Sequence, residues 1–302
     1  MTIRLDMRRA VSRAAGALGD SIDAVRQFLR QHLHDDGGFK GRDGRSDLYY
    51  TLFGLEASIA LDAKVPYDRV AAYLDGFATP QSLDLVHLAC LIRCQTNLAE
   101  RAGNALDPAT RDALAARLMQ FRAADGGFST SAGADRGHVY GSFLALGACQ
   151  DLEVDTLEPD RLLASVESLM MPDGGYANEP TMKASATPAT AAALTIFHYL
   201  QRPIPEAARR WLFARVAREG GFTAIPFPPD IAVSDLLSTA TALHALSLTD
   251  TPLGDEFREA NLDYLDALWD ARGGFHGHPD DDIVDCEYTY YGLLALGHLA
   301  GS

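Results

Sequence analysis

The chain lacks several features that would define a class of protein at once. No apolar run approaches the ~18 residues needed to cross a bilayer, so we expect no transmembrane segment. Only 4 of the 302 residues are cysteine and no Cys-x-x-Cys pair occurs, which argues against a disulfide framework and favours a reducing cytoplasm. Basic residues are also scarce, since 26 Lys and Arg stand against 41 Asp and Glu, a net charge of −15. Nucleic acids and anionic membranes would be repelled at long range, so we expect no nucleic-acid partner.

What the sequence does contain is a repeat along its whole length. A Gly-Gly pair followed by an aromatic residue occurs five times, at Gly37-Gly38-Phe39, Gly126-Gly127-Phe128, Gly174-Gly175-Tyr176, Gly220-Gly221-Phe222 and Gly273-Gly274-Phe275. The first interval is 89 residues, whereas the later ones are 48, 46 and 53. The long first interval predicts one degenerate unit in the gap, over residues 82–90.

Each unit continues with a polar loop, a capping residue and a small, apolar helix. The predicted caps are Asp47, Asp84, Asp135, Thr187, Asp235 and Asp285. Amphipathic helices, such as those starting at Pro108 and Pro205, alternate with them. Six apolar helices are best buried as an inner ring, so we predict an all-α fold, an (α/α)6 toroid of six inner and six outer helices. We expect a single domain over residues 1–302, with residues 1–34 as an N-terminal helical segment.

The inner helices of such a ring share one polarity, so equivalent residues should meet at one mouth of the central cavity. The residues three positions after the predicted caps are Tyr50, His87, His138, Thr190, Ser238 and Tyr288.

These turns and capped helices resemble the prenyltransferase and terpene-cyclase superfamily, which includes protein prenyltransferase β subunits and squalene-hopene-type class II cyclases. The resemblance covers about residues 30–300. It implies a cavity lined by aromatic and apolar groups that accepts an isoprenoid chain.

The protein prenyltransferases of this superfamily bind a diphosphate beside zinc, and part of that motif is present. Arg42 and Arg45 match the basic diphosphate positions, Asp47 the metal aspartate and Tyr50 the tyrosine. Tyr49 stands at the zinc cysteine position, as Glu287 does in the last unit. Asp84 to His87 and Asp135 to His138 match the Asp-x-x-His element of the family.

Because no unit keeps the full Asp, Cys and His set, we predict that the protein needs no metal. Two alternatives remain open: a zinc site formed by Asp47, His87, Cys90 and Cys94, and Mg²⁺ accompanying a diphosphate substrate.

The first functional interpretation is an isoprenoid-diphosphate enzyme related to the prenyltransferases, with no partner subunit evident. Its predicted substrate-binding residues are Arg42, Arg45, Tyr49, Tyr50, His87, His138 and Tyr288.

Two alternatives stay open. One is a class II type terpene cyclase, in which an aspartic acid protonates an alkene. The sequence around Asp230 and the run Asp280-Asp281-Asp282 are the nearest matches to the acid motif of that class. The other alternative is a non-catalytic isoprenoid-binding or scaffold protein. The candidate catalytic carboxylates are Asp47, Asp282 and Asp285, of which Asp47 also has a purely structural interpretation as a helix cap.

Overall fold

The computed structural model describes residues 2–77, 82–226, 233–249 and 251–300, in which α-helix is the predominant secondary structure. The α-helices of these residues are α1 Ile3–Leu18, α2 Ile22–His32, α3 Leu48–Ala60, α4 Tyr67–Asp75, α5 Leu85–Arg101, α6 Pro108–Met119, α7 Val139–Leu152, α8 Pro159–Glu167, α9 Thr187–Tyr199, α10 Glu206–Phe213, α11 Leu236–Ser247, α12 Asp255–Ala267 and α13 Cys286–Ala300. Three antiparallel pairs of short strands flank the inner helices: β1 Phe39–Lys40 with β2 Ser46–Asp47, β3 Phe222–Thr223 with β4 Ser234–Asp235, and β5 Trp269–Asp270 with β6 Gly274–Phe275.

Six helices form a closed inner ring. Helices α3, α5, α7, α9, α11 and α13 each pack against the next, and α13 packs against α3. Helices α2, α4, α6, α8, α10 and α12 lie outside, each against an inner helix. The predicted all-α toroid is therefore confirmed, and α5 is the inner helix of the degenerate unit.

The first glycine of each Gly-Gly pair has a positive φ and lies against the next outer helix. Gly37 has a φ of 101°, and a Cβ there would lie 2.0 Å from the carbonyl oxygen of Arg69 in α4. The same holds for Gly220, where a Cβ would lie 2.0 Å from the carbonyl oxygen of Ala260 in α12. Only glycine satisfies both the backbone conformation and this close approach.

A buried hydroxyl in each of the five units with a Gly-Gly pair fixes the aromatic residue that follows the glycines. The amide of that aromatic residue donates to a Ser or Thr hydroxyl in the first turn of the inner helix. The pairs are Phe39 with Thr51 (2.9 Å), Phe128 with Ser142 (3.1 Å), Tyr176 with Thr190 (2.9 Å), Phe222 with Thr239 (2.9 Å) and Phe275 with Thr289 (3.3 Å).

This hydroxyl sets the register of the inner helices and corrects two predicted caps. Helix α7 follows His138 rather than Asp135, and α9 follows Ala186, so that Thr187 is its first residue. The predicted mouth position of Thr190 is consequently wrong, because its hydroxyl is the buried partner of Tyr176. His138 precedes the helix instead of lying three residues inside it.

Helix α1 belongs to neither ring. The sequence analysis predicted residues 1–34 as one N-terminal helical segment, but α1 and α2 occupy different places in the fold. Helix α1 lies across the C-terminal ends of the inner helices and is anchored to several of them. Its contacts there include Ile3 to Gln150 of α7, Arg4 to Asn97 of α5, Ser12 to Ala60 of α3, Asp6 to Tyr199 of α9 and Arg13 to Gly297 of α13. The ring is thus closed at this end, whereas α2 is an ordinary outer helix.

Candidate functional site

The centre of the ring is a cavity with two compartments. The larger has a volume of about 380 Å³ and the smaller about 80 Å³. Both are lined by Met7 of α1, Tyr49, Tyr140, Phe143 and Tyr291, so they adjoin. A volume in the range of roughly 300–1,000 Å³ is typical of small-molecule sites.

The cavity wall differs from side to side. Aromatic rings crowd α3, α7 and α13, and the Tyr49 and Phe53 rings lie edge to face with centroids 4.9 Å apart. Helix α9 instead contributes Ala189, Ala191 and Ala192, whose side chains are short enough to leave room for the larger compartment. The site therefore offers an apolar volume with aromatic faces along one side.

At the N-terminal mouth, Tyr49 and Glu287 form a pair. The Tyr49 hydroxyl donates to Oε1 of Glu287 across 2.6 Å, and Tyr49 also lines both compartments. Burial raises the pKa of the Glu287 carboxyl; the hydrogen bond from Tyr49 opposes this shift, and the neighbouring Asp285 adds to it. Burial also raises the pKa of Tyr49, which remains a neutral phenol. The pair thus places an exchangeable proton at the cavity wall.

Glu287 was not among the predicted catalytic residues, although the sequence held a signal. Tyr49 and Glu287 stand at the same position of the first and last units, one residue inside α3 and α13. Closure of the ring makes these two helices neighbours, so two residues 238 positions apart come into contact.

Arg42 is engaged by two carboxylates of the last unit. Its Nε donates to Asp285 at 2.9 Å, its Nη2 donates to Asp281 at 3.1 Å, and its guanidinium lies 5.3 Å from the Tyr288 ring centroid. Asp285 is 2% exposed and also accepts the amide of Tyr288. Burial raises the pKa of Asp285, while Arg42 opposes this shift. These contacts join the loop of the first unit to that of the last.

Arg45 does not accompany Arg42. Its side chain is 87% exposed and pairs with Asp43 of the same loop at 2.6 Å. The structure therefore does not bring the two predicted diphosphate ligands together at the cavity. Tyr50 does lie near Arg42, and burial raises its pKa to about 12.

The remaining predicted carboxylates and histidines do not form one cluster, and those with a partner each have a different one. Asp47 accepts the amides of Tyr49 and Tyr50, as a helix cap does. Asp282 is exposed, and Asp230 lies outside the described residues. His87 pairs with Asp84 at 2.9 Å, and His138 with Glu179 at 3.4 Å.

The donors required for a zinc thiolate site do not come together. Cys90 and Cys94 are buried, and burial raises the pKa of both thiols, which favours the protonated form over a thiolate ligand. The Asp47 carboxylate already accepts hydrogen bonds from the backbone amides of Tyr49 and Tyr50. In the part of the chain that the structure describes, no three His, Cys, Asp or Glu side chains are grouped as metal ligands. The residues present thus do not fit the zinc site of the protein prenyltransferases.

The closed end contains charged groups that compensate one another. Arg93 donates to Glu56 at 3.2 Å, and Arg4 of α1 donates to Asp151 at 2.8 Å. Asn97 donates to Glu56 as well. Because these buried charges are paired and hydrogen-bonded, we infer that their role is structural and that they anchor α1.

The chain belongs to the family defined by the prenyltransferase alpha-alpha toroid domain, which matches residues 19–224 and 228–301. None of the curated proteins matches it. Among the described residues, no helix has both the length and the apolar character of a membrane span.

Three solved structures illustrate the range of proteins with this fold. Protein geranylgeranyltransferase-I of Candida albicans, complexed with GGPP, is 14% identical, with a TM-score of 0.65 over 92% of this chain and 90% of that one. A variant of the type II terpene cyclase MstE from Scytonema, in complex with geranylgeranyl dihydroxybenzoate, is 15% identical, with a TM-score of 0.61 over 95% and 97%. The GH76A alpha-1,6-mannanase from Salegentibacter sp. is 13% identical, with a TM-score of 0.63 over 93% and 98%. At these identities the likeness concerns the fold alone.

Proposed function

We propose that the protein is an enzyme of isoprenoid metabolism and that it binds an isoprenoid chain in the central cavity. The observation that carries this proposal is the cavity of about 380 Å³, with alanines of α9 on one side and Tyr49, Tyr140, Phe143 and Tyr291 on the other. An isoprenoid is apolar, so each Å² of surface that it buries there contributes about 25 cal/mol of favourable transfer free energy. The geranylgeranyl ligands of the prenyltransferase and of MstE support this assignment by analogy.

The chemistry that best suits the mouth of the cavity is protonation of an alkene. Glu287 holds its proton to higher pH than an exposed glutamate does, because it is buried beside Asp285. The Tyr49 hydroxyl, 2.6 Å away, connects this carboxyl to the cavity. In the proposed step Glu287 is protonated and the hydrogen bond is reversed, so that the carboxyl donates to the phenolic oxygen. The carboxyl proton moves to that oxygen as the phenolic proton goes to one alkene carbon, which leaves a Glu287 carboxylate and a carbocation on the other alkene carbon.

The aromatic side of the wall suits the cation that this step creates, since ring faces attract positive charge. Cyclisation then forms a carbon–carbon bond from a second alkene, and the final cation loses a proton to a basic group or to water. The net reaction is an isomerisation, because one proton is added and one is lost. The acid in this proposal is Glu287 rather than the predicted Asp285, which is occupied by Arg42.

Diphosphate-initiated chemistry is the second candidate, and the presence of Arg42 near Tyr50 at the mouth favours it. Mg²⁺ would accompany that substrate. In that case the diphosphate would have to replace Asp281 and Asp285 as partners of Arg42.

Product analysis separates these possibilities. The protein is incubated with geranylgeraniol and with geranylgeranyl diphosphate, the latter with and without Mg²⁺, and the extracts are examined by mass spectrometry. Cyclic isomers of the alcohol support the alkene-protonation proposal. Release of pyrophosphate from the diphosphate alone favours the second candidate, and binding with no product in any arm indicates a carrier.

A further inference from the structure

A second polar feature of the cavity lies at the end opposite Tyr49. Helix α11 lines the larger compartment with Leu237, Thr241 and His244, which are spaced as one face of a helix. Leu237 is near the mouth, and His244 lies about 10 Å further along the helix axis. Met7 of α1 lines the same compartment. His244 is therefore near the closed end of the ring.

His244 has one ring nitrogen occupied and one unused. Its Nδ1 lies 3.1 Å from Nε2 of His298 on α13, within hydrogen-bond distance. Its Nε2 is buried and has no hydrogen-bond partner among the described residues, although the whole side chain is only 4% exposed. A buried polar atom without a partner costs roughly 1–3 kcal/mol, and since His244 lines the larger compartment, a ligand bound there is a partner that this nitrogen can gain.

Both imidazoles are neutral in this environment. Burial lowers the pKa of His244 to about 4 and that of His298 well below its ordinary value. If Nδ1 of His244 donates to His298, Nε2 is an acceptor; if Nδ1 accepts, Nε2 is a donor. A hydroxyl group can satisfy either form, whereas a carbonyl satisfies only one.

Two threonines add to the polar character of this wall. Thr195 of α9 donates its hydroxyl proton to the carbonyl of Ala191, and Thr241 donates to that of Leu237. Both side chains line the compartment with their oxygen lone pairs still able to accept. The wall around His244 therefore offers hydrogen-bond acceptors but no charge.

We propose that His244 binds a hydroxyl group at the end of the isoprenoid, so that the ligand is an isoprenoid alcohol that enters hydroxyl first. This inference rests on the proposed function and specifies its ligand. A chain held in this way has its last alkene towards the mouth, where Tyr49 lines the same compartment. The orientation therefore fits protonation of that alkene by the Tyr49 and Glu287 pair.

The test compares farnesol with farnesene, a hydrocarbon with the same carbon skeleton but no hydroxyl. Their dissociation constants are measured for the wild-type protein, for His244→Leu and for a control, His198→Leu, which removes an exposed histidine of α9. We expect the wild-type protein to bind farnesol about tenfold more tightly, which corresponds to about 1.4 kcal/mol. This preference should disappear in His244→Leu and persist in His198→Leu.

Equal binding of the two ligands by the wild-type protein, or a preference that survives in His244→Leu, would overturn the inference while leaving the isoprenoid cavity intact. Binding of neither ligand would remove the proposed function and this inference together. A second measurement does not depend on the folding of a variant. In wild-type protein with nitrogen-15 histidine, the Nε2 signal of His244 should shift with farnesol and stay unchanged with farnesene; the same shift with both would also contradict the inference.

Discussion

The hydroxyl of Tyr49 lies 2.6 Å from Oε1 of Glu287, although 238 residues separate them in the chain. Both occupy the second position of an inner helix, and the contact forms because the first and last inner helices are neighbours in the closed ring. The same closure brings Arg42 to Asp285. The most distinctive chemistry of the cavity is thus located at the junction of the first and last repeat units.

Replacing Tyr49 should separate binding from turnover. Tyr49→Phe keeps the ring on the cavity wall but removes the proton that the proposed mechanism transfers. We expect the rate of product formation to fall by at least roughly 100-fold, the usual contribution of a general acid, with little change in the dissociation constant. Glu287→Gln should have the same effect on the rate. Tyr67→Phe, on the outer helix α4, is the control; a Tyr49→Phe rate equal to that of Tyr67→Phe would exclude this acid.

Replacing two glycines that face α1 by alanine should have different effects on the stability of the protein. A Cβ on Gly297 would lie 1.7 Å from the carbonyl oxygen of Ala10, so Gly297→Ala has to push α1 away from α13. We expect the free energy of unfolding to fall by about 1–3 kcal/mol. A Cβ on Gly147 would meet only Ile3, at 3.9 Å, so Gly147→Ala should be neutral or stabilising because alanine favours the helix. Urea unfolding of both variants measures this, and equal effects would contradict the packing of α1.

The buried His244 should make stability fall in mild acid. Its pKa lies near 6.5 in the unfolded chain and near 4 in the folded protein, because burial disfavours the charged ring. Its stabilising contribution is therefore complete above pH 6.5 and is lost as the pH falls towards 4, where only the unfolded state has bound the proton. We expect a loss on the order of 2 kcal/mol between pH 7 and pH 5 from this one group. His244→Leu should lose that much less over the same interval, and an unchanged dependence would contradict the burial of this ring.

Filling the alanine wall should block the ligand without unfolding the protein. Ala192 lies on α9 with 9% of its surface exposed, and that surface lines the larger compartment. Ala192→Phe should occupy volume that the chain needs and weaken the binding of geranylgeraniol at least tenfold. Ala113→Phe, at an exposed position of α6, is the matched control. Unaltered binding by Ala192→Phe would place the ligand elsewhere.

The closed ring could be predicted from the sequence because its determinants are local and repeated. Each Gly-Gly turn requires glycine at a positive φ, and most inner helices begin after an Asp cap that accepts first-turn amides. The exceptions are α7 and α9, whose starts lack an Asp cap. Their registers are set instead by the Ser142 and Thr190 hydroxyls, which accept hydrogen bonds from buried amides. This signal lay in the sequence: in the five units with a Gly-Gly pair, a Ser or Thr stands four residues after the true cap.

The site was less predictable because it depends on contacts between distant segments. The pattern of α1 shows that Ile3, Met7 and Val11 are buried, but an apolar face alone does not tell whether a helix packs outside the ring or across its end. Arg42 and Arg45 are three residues apart in one loop, yet one turns towards Asp285 and the other towards solvent. The pairing of Tyr49 with Glu287 becomes visible only once the ring is closed.

The central claim is that the cavity holds an isoprenoid chain, and the affinity of the protein for a series of ligands of increasing length tests it most directly. Geraniol, farnesol and geranylgeraniol are titrated alongside their diphosphates and free pyrophosphate. We predict that affinity rises with each isoprene unit until the cavity is full, by up to ~0.8 kcal/mol per buried methylene, and that the alcohols show this trend without a diphosphate. Equal affinity for all chain lengths, or binding of pyrophosphate and the diphosphates alone, would contradict the account.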